Sequence, residues 1–248
     1  YSDDAGVAFT YRQMPWDDDN WQHDIRMIRP CLPSGQLIDN PLTAGTFASF
    51  GRDVALDGNT AIIGDPYAAN DLGDPGGSVT FLTRSAVDAD WIALSGEDVS
   101  LPLGIAAYEY FGESVAIDGD FAIVGAPGYD EKKGRAIIMR RNGTSWFSAD
   151  TLLGDGAGAD FGTDVAVETA FGKTYFMVGA PGFSSSAGQV SVYQWDDFDE
   201  VANKILTIVD PQWAGTGTNR FGQSVDLQVT AGDSLRLAVG NPYQFDNN

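Results

Sequence analysis

Residues 111–139 read FGESVAIDGDFAIVGAPGYDEKKGRAIIM. Small and apolar residues alternate from Ser114 to Ile117, and the run stops at Asp118-Gly119. A second apolar run, Phe121 to Val124, ends at Gly125-Ala126-Pro127. A polar loop follows, and then a third apolar run from Arg135 to Met139. A period of two sends successive side chains to opposite faces of a strand. Val115 and Ile117 are therefore expected on one face, Ser114 and Ala116 on the other. Two β-rich runs joined through Asp-Gly are a strong hairpin signal, because both residues tolerate the positive φ of a tight type I′ turn. The stretch predicts three strands of one antiparallel sheet.

The unit recurs. Phe50-Gly51 opens a copy containing VALDGNTAIIGDP, Phe161-Gly162 one containing DVAVETAFGKTYFMVGAP, and Phe221-Gly222 one containing SVDLQVTAGDSLRLAVGNP. Successive Phe-Gly pairs lie 61, 50 and 60 residues apart. The third strand aligns as Gly6–Arg12, Gly77–Arg84, Gly134–Arg140 and Gly188–Trp195. A fourth strand is expected at Trp21–Ile28, Trp91–Leu94 and Trp146–Leu153, and Pro30–Ser49 reads as a long connection. Self-similarity at this period, with several strands per copy, predicts an all-β propeller of four-stranded antiparallel blades. The whole chain, 1–248, reads as one domain: a half-blade at 1–30, blades at 50–100, 111–154 and 161–209, and a half-blade at 221–248.

Phe-Gly, then Ser-Val or Asp-Val, then Gly-Ala-Pro, then Gly-x-Val resembles the FG-GAP repeat of integrin-α-type β-propellers. The matches are Phe111-Gly112 with Gly125-Ala126-Pro127 and Phe161-Gly162 with Gly179-Ala180-Pro181. Phe50-Gly51 with Gly64-Asp65-Pro66, and Phe221-Gly222 with Gly240-Asn241-Pro242, follow the pattern more loosely. The chain holds about four blades' worth of strands. Its complementary ends fit either a four-bladed ring or a window of a longer propeller, and the resemblance, often to seven blades, favours the longer one. Many members bind calcium in an Asp-x-Asp-x-Asp-Gly loop between strands one and two. Here those positions hold only Asp57-Gly58-Asn59, Asp118-Gly119-Asp120, Glu168-Thr169-Ala170 and Thr230-Ala231-Gly232-Asp233. Calcium needs six to eight oxygens, so no metal and no cofactor is expected.

Composition narrows the classes further. The net charge is −21 and the acidic residues are spread through loops. That sign of field repels nucleic acid and anionic lipid. No run of about 18 apolar residues occurs, so no direct membrane insertion is expected. Tyr1 to Asp4 shows no initiator Met or apolar signal core, so any targeting segment is expected to be missing from the sequence. Cys31 is the sole cysteine, which excludes an internal disulfide and suits a buried thiol.

Catalytic motifs are sparse. His23 is the sole histidine, no Gly-x-Ser-x-Gly elbow occurs, and zinc is disfavoured. Gly154–Gly162 lacks the Lys-Ser/Thr of a phosphate-binding loop. Asp17–Asp19 and Asp71–Asp74 read as solvated loops. The expectation is of a protein that is not an enzyme.

One recurrence points to binding. An aromatic follows each Gly-x-Pro: Tyr67, Tyr129, Phe183 and Tyr243. Tyr108, Tyr110 and Trp213 lie in the loops that lead into blades. The resemblance implies that these loops share one face, where partners bind. Aromatic anchors suit such a surface, and Tyr67, Tyr129, Phe183, Tyr243 and Trp213 are the expected contacts. Asn142-Gly143-Thr144 fits an N-glycosylation acceptor. The sequence therefore reads as an extracellular, cell-surface or lumenal recognition module, a glycoprotein of the cell-adhesion type, binding protein partners or itself. The alternatives are a carbohydrate-active or carbohydrate-binding propeller, with acidic and aromatic residues near its axis, and a structural subunit of a filament or complex.

Overall fold

A computed structural model describes residues 25–27, 36–38, 49–69, 73–86, 89–94, 98–100, 102, 104–210, 219–232 and 234–242. It begins with a short pair, β1 (Ile25–Met27) and β2 (Gln36–Ile38). The first blade is β3 (Val54–Asp57), β4 (Thr60–Asp65), β5 (Ser78–Thr83) and β6 (Ile92–Ala93). A short strand, β7 (Val99–Ser100), follows. The second blade is β8 (Val115–Asp118), β9 (Phe121–Ala126), the one-turn segment α1 (Tyr129–Lys132), β10 (Arg135–Asn142) and β11 (Ser145–Leu153). The third is β12 (Val165–Ala170), β13 (Lys173–Ala180), α2 (Phe183–Ser186), β14 (Gln189–Asp196) and β15 (Val201–Ile208). β16 (Val225–Thr230) and β17 (Ser234–Val239) form a two-stranded unit.

Each blade is an antiparallel meander in chain order. The first strands touch in sequence, β3 against β8, β8 against β12 and β12 against β16. They are the inner strands of a β-propeller. Alternation then explains the packing. Phe121 and Ile123 of β9 join Phe161, Val165, Phe176 and Trp195 between the second and third blades. Ala122 and Val124 turn the other way, joining Ile62, Phe81, Phe111 and Trp146 between the first and second. Val115 and Ile117 face the first gap while Ala116 packs on the other, as the pattern predicts. Phe50, Phe111 and Phe161 are at most 2 % exposed. Burying each such ring is worth about 1.5–3 kcal/mol. Phe81 and Trp146 stack with centroids 4.7 Å apart.

The glycines of the repeat have a packing reason. Gly125 lies so close to the Gly162 carbonyl of the next blade that a Cβ would collide with it, and Gly64 and Gly179 meet Gly112 and Gly222 in the same way. A backbone bridge joins Gly77 to Phe111, Gly134 to Phe161 and Gly188 to Phe221.

Two expectations need adjustment. The strand 1–2 turns lie one residue later than a turn centred on Asp-Gly. Asp57 pairs with Thr60 and Asp118 with Phe121, so Gly58-Asn59 and Gly119-Asp120 make the turns. Only the glycines there have positive φ, 53° and 59°, as a Gly-first type II′ turn permits. The displaced aspartates act as clasps instead: Asp57 Oδ2 accepts the Gly119 N–H at 2.9 Å, and Asp118 accepts the Thr169 N–H. Second, β2 lies inside the stretch read as a connection. The Gln36 side chain holds it by mimicking a strand, donating to the Trp91 carbonyl at 2.8 Å and accepting its N–H at 2.6 Å. The expected strands at Gly6–Arg12 and Trp21–Asp24 lie outside the described residues.

Candidate functional site at the lead-in end of the blades

A meander puts its strand 1–2 and 3–4 hairpins at one end of the blade, and its strand 2–3 loops and blade lead-ins at the other. Hydrogen bonds tie the second end together across blades. Tyr108 N–H donates to Pro75 O, Gly128 N–H to Glu109 O, Asp160 N–H to Lys132 O, and both Asn219 and Arg220 N–H to Ser186 O. The carbonyls of the strand 2–3 loops are aimed by left-handed backbone. Asp130, Glu131 and Lys132 have φ of 48°, 56° and 61°, and Ser184, Ser185 and Ser186 have 51°, 60° and 69°. The residue preceding Phe-Gly shares this region in three of the copies: Tyr110 (58°), Asp160 (52°) and Arg220 (55°). Non-glycine residues adopt it at a cost. Asp130 and Asp160 are of a type enriched there, but Glu131, Lys132, Tyr110, Arg220 and the serines are not, so the repeated position is the stronger signal.

The aromatic residues of this end fall into different environments. Tyr67 is 40 % exposed, Tyr108 is 56 % exposed with φ of 64°, and the Tyr67 and Tyr110 rings meet edge to face at 5.3 Å. Burial, with the neighbouring Tyr67 and Tyr108, pushes the Tyr110 hydroxyl pKa up. Beside them Arg52 pairs with Glu113 at 2.6 Å. Tyr129 is half-buried beneath the Arg135 guanidinium, 4.5 Å from its ring centre. Arg135 in turn forms a buried ion pair with Glu109 at 2.5 Å. Phe183 is half-buried against the core between the second and third blades. The structure thus brings Tyr67 together with Tyr108 and Tyr110, and sets Tyr129 and Phe183 lower. Trp213 and Tyr243 lie outside the described residues.

A second constellation, which the sequence reading passed over, sits where the inner strands begin at the same end. The second residue after each Phe-Gly is Asp53, Ser114, Asp164 and Ser224. Asp53 accepts the N–H of Val54 at 2.9 Å and of Val115 in the next blade at 2.7 Å. Ser114 Oγ donates to Asp164 Oδ1 at 3.0 Å and accepts the Val165 N–H at 3.1 Å. Asp164 also accepts the Val225 N–H at 2.6 Å. Burial pushes both carboxyl pKa values up, against the pull of these hydrogen bonds, and the Asp53 charge adds to the rise at Asp164. Two carboxylates with raised proton affinity therefore flank one serine near the axis. The signal available in the sequence was the alternation of Asp and Ser after Phe-Gly.

The other end carries Asn142, exposed at the close of β10. It pairs with Ser145, and Gly143 (φ 65°) opens the turn. No group of three or more His, Cys, Asp or Glu placed to hold a metal ion occurs among the described residues. No helix among them is long and apolar enough to cross a membrane.

The FG-GAP repeat model matches residues 102–138, so the chain carries this repeat. No curated protein matches the sequence. Among solved structures, an α-L-arabinanase of Cellvibrio cellulosa complexed with arabinohexaose is similar at 9 % identity and a TM-score of 0.37, over 74 % of this chain and 68 % of that one. An endo-arabinase of Bacteroides thetaiotaomicron is similar at 9 % identity and 0.39, over 92 % and 88 %. A thermostable family-43 glycoside hydrolase is similar at 11 % identity and 0.35, over 78 % and 71 %. These neighbours are enzymes, and they overturn the expectation of a chain that is not an enzyme. The physical reason is that one fold carries many chemistries, so scarce local motifs do not exclude catalysis.

Proposed function

We propose that this FG-GAP propeller is a recognition module that binds a protein partner, or a second copy of itself, through the lead-in end of its blades. The observation that carries this reading is the cluster of Tyr67, Tyr108 and Tyr110. Two of these rings are exposed, and Tyr108 and Tyr110 hold left-handed backbone that favours smaller residues. The left-handed backbone at Tyr110 recurs at Asp160 and Arg220 and belongs to the repeat, whereas at Tyr108 it sits under an exposed ring, which supports use rather than packing there. Trp213 and Tyr243 are further proposed contacts, with Tyr129 and Phe183 supporting from below. The proposed compartment is extracellular or lumenal, with a glycan on Asn142 at the opposite end.

The test is to isolate the native complex from its source, identify the bound polypeptide, and measure its affinity for variants. Tyr67→Ala and Tyr108→Ala are expected to weaken binding by about tenfold or more, as hot-spot aromatics do, with the melting temperature nearly unchanged. Unchanged affinity in both variants sinks the proposal.

A second reading is favoured by one observation, the Asp53–Ser114–Asp164 constellation. Paired carboxyl groups with raised pKa values suit proton transfer to a glycosidic oxygen. Soluble polysaccharides, arabinan first, are assayed for release of reducing ends. Activity that disappears in both Asp53→Asn and Asp164→Asn supports this reading. No release from any substrate, or release unaffected by both variants, removes it.

A further inference from the structure

The hairpin end of the third blade carries two aromatic rings left exposed by the described residues. Phe198 is 93 % exposed and Phe171 is 66 % exposed. Phe171 lies in the turn joining β12 and β13, and Phe198 in the turn joining β14 and β15. The meander places both turns at the same end, about 10 Å apart across two strand spacings.

Hydrogen bonds tie the backbone of the loop around Phe198. Asp196 Oδ1 accepts the N–H of Phe198 at 2.9 Å and of Asp199 at 3.2 Å. Trp195 Nε1 donates to Asp197 at 3.1 Å, and Arg140 from the second blade donates to Glu200 at 3.0 Å. Glu200 closes the turn with φ of 53°, and Phe171 has the same φ. Four hydrogen bonds and a left-handed residue thus fix a loop whose central ring faces water. A loop backbone held in this way leaves less conformational freedom for binding to remove.

The surround of Phe198 is acidic. Asp197 and Glu200 share Arg140 yet keep side chains 72 % and 71 % exposed, and Asp199 is exposed beside them, so carboxylates outnumber the one cation there. Aromatic anchors within a carboxylate rim match an apolar pocket bordered by Lys or Arg, and mismatch an anionic lipid surface.

We propose that Phe171 and Phe198 form a second docking surface, for a protein partner presenting an apolar pocket with a basic rim. This surface is separate from the tyrosine cluster at the opposite end of the blades. The glycan proposed on Asn142 would flank it.

The test uses a synthetic amphipathic peptide of leucine and lysine as the probe, titrated into the whole chain at low ionic strength. Phosphatidylcholine vesicles serve as a second probe. Phe198→Ala and Phe171→Ala are each expected to weaken peptide binding by about fivefold or more. Asp199→Asn is expected to weaken it less and to flatten its salt dependence. Tyr67→Ala leaves it unchanged, which keeps this result distinct from the reading of the lead-in end. Peptide binding that persists undiminished in the double phenylalanine variant reflects charge alone and overturns the proposal. Binding to the vesicles but not to the peptide overturns it as well, in favour of a lipid surface.

Discussion

An alanine at Gly125 would bring its Cβ closer than 3.0 Å to the Gly162 carbonyl. Both groups belong to backbone held in blades, so neither can rotate aside. Gly125→Ala is expected to cost about 1–3 kcal/mol or more through overpacking, read as a lower urea midpoint. Gly156 is a natural control, since a Cβ there meets nothing within 4 Å. Gly156→Ala should stay within about 0.5 kcal/mol of the parent. Charge at single residues follows the same local logic. Burial pushes the Asp155 carboxyl up, but hydrogen bonds from Gln189 and Lys204, with the Lys204 and Lys133 charges, outweigh it and hold the pKa below the ordinary range. A depressed carboxyl contributes stability that is present above its unfolded pKa and lost as pH falls through the folded one. Asp155→Asn should therefore shrink the loss of melting temperature on acidification below about pH 4. Asp164 has the opposite sign: its raised pKa gives stability that is lost as pH rises through it.

Between elements, blades are joined by side chains that reach the next blade's backbone. Ser114 is 3 % exposed and serves Asp164 and the Val165 N–H at once. Ser114→Ala leaves two polar groups short of a partner, at a cost of about 1–3 kcal/mol. A double-mutant cycle with Asp164→Ala, followed by urea unfolding, should give a coupling above about 0.5 kcal/mol. Additive losses would show that the two side chains act independently. This contrast explains what the sequence disclosed. Phe111, Phe161 and their glycines repeat in register because each gap demands the same shape, so the blades were legible. The displaced turns were not, because Asp57 and Asp118 are recruited by the neighbouring blade, a contact no local pattern contains. The left-handed turns were not either, because Glu131, Lys132 and Ser184 are not residue types enriched at positive φ. At the candidate site, Tyr67 is legible as a recurring aromatic, whereas Tyr108 is legible only as a lead-in loop residue and not as one of the expected contacts. The different depths of Tyr129 and Phe183 follow from Arg135 and from the core, which only packing shows.

For the whole molecule, charge is the dominant unbalanced quantity. There are 35 acidic side chains against 14 basic ones. Among the described residues several basic ones are drawn into local pairs, such as Arg135 with Glu109, Arg141 with Asp120 and Lys204 with Asp155, and the overall excess of acid leaves the field negative. Self-repulsion of this kind opposes compaction, and salt screens it over about 10 Å at 0.1 M. Exposed pairs contribute little and lose little on screening, while the buried Arg135–Glu109 pair is shielded from salt. Raising sodium chloride from about 10 mM to about 0.5 M is therefore expected to raise the melting temperature by several degrees. A fall would mean that attractive surface pairs outweigh the repulsion. The same experiment separates screening from specific ion binding. No group of three or more His, Cys, Asp or Glu placed to hold a metal ion occurs among the described residues, so equal shifts are expected from calcium and magnesium matched in ionic strength. An excess for calcium, at concentrations too low to screen, would require an oxygen cage that the clasping roles of Asp57 and Asp118 do not supply.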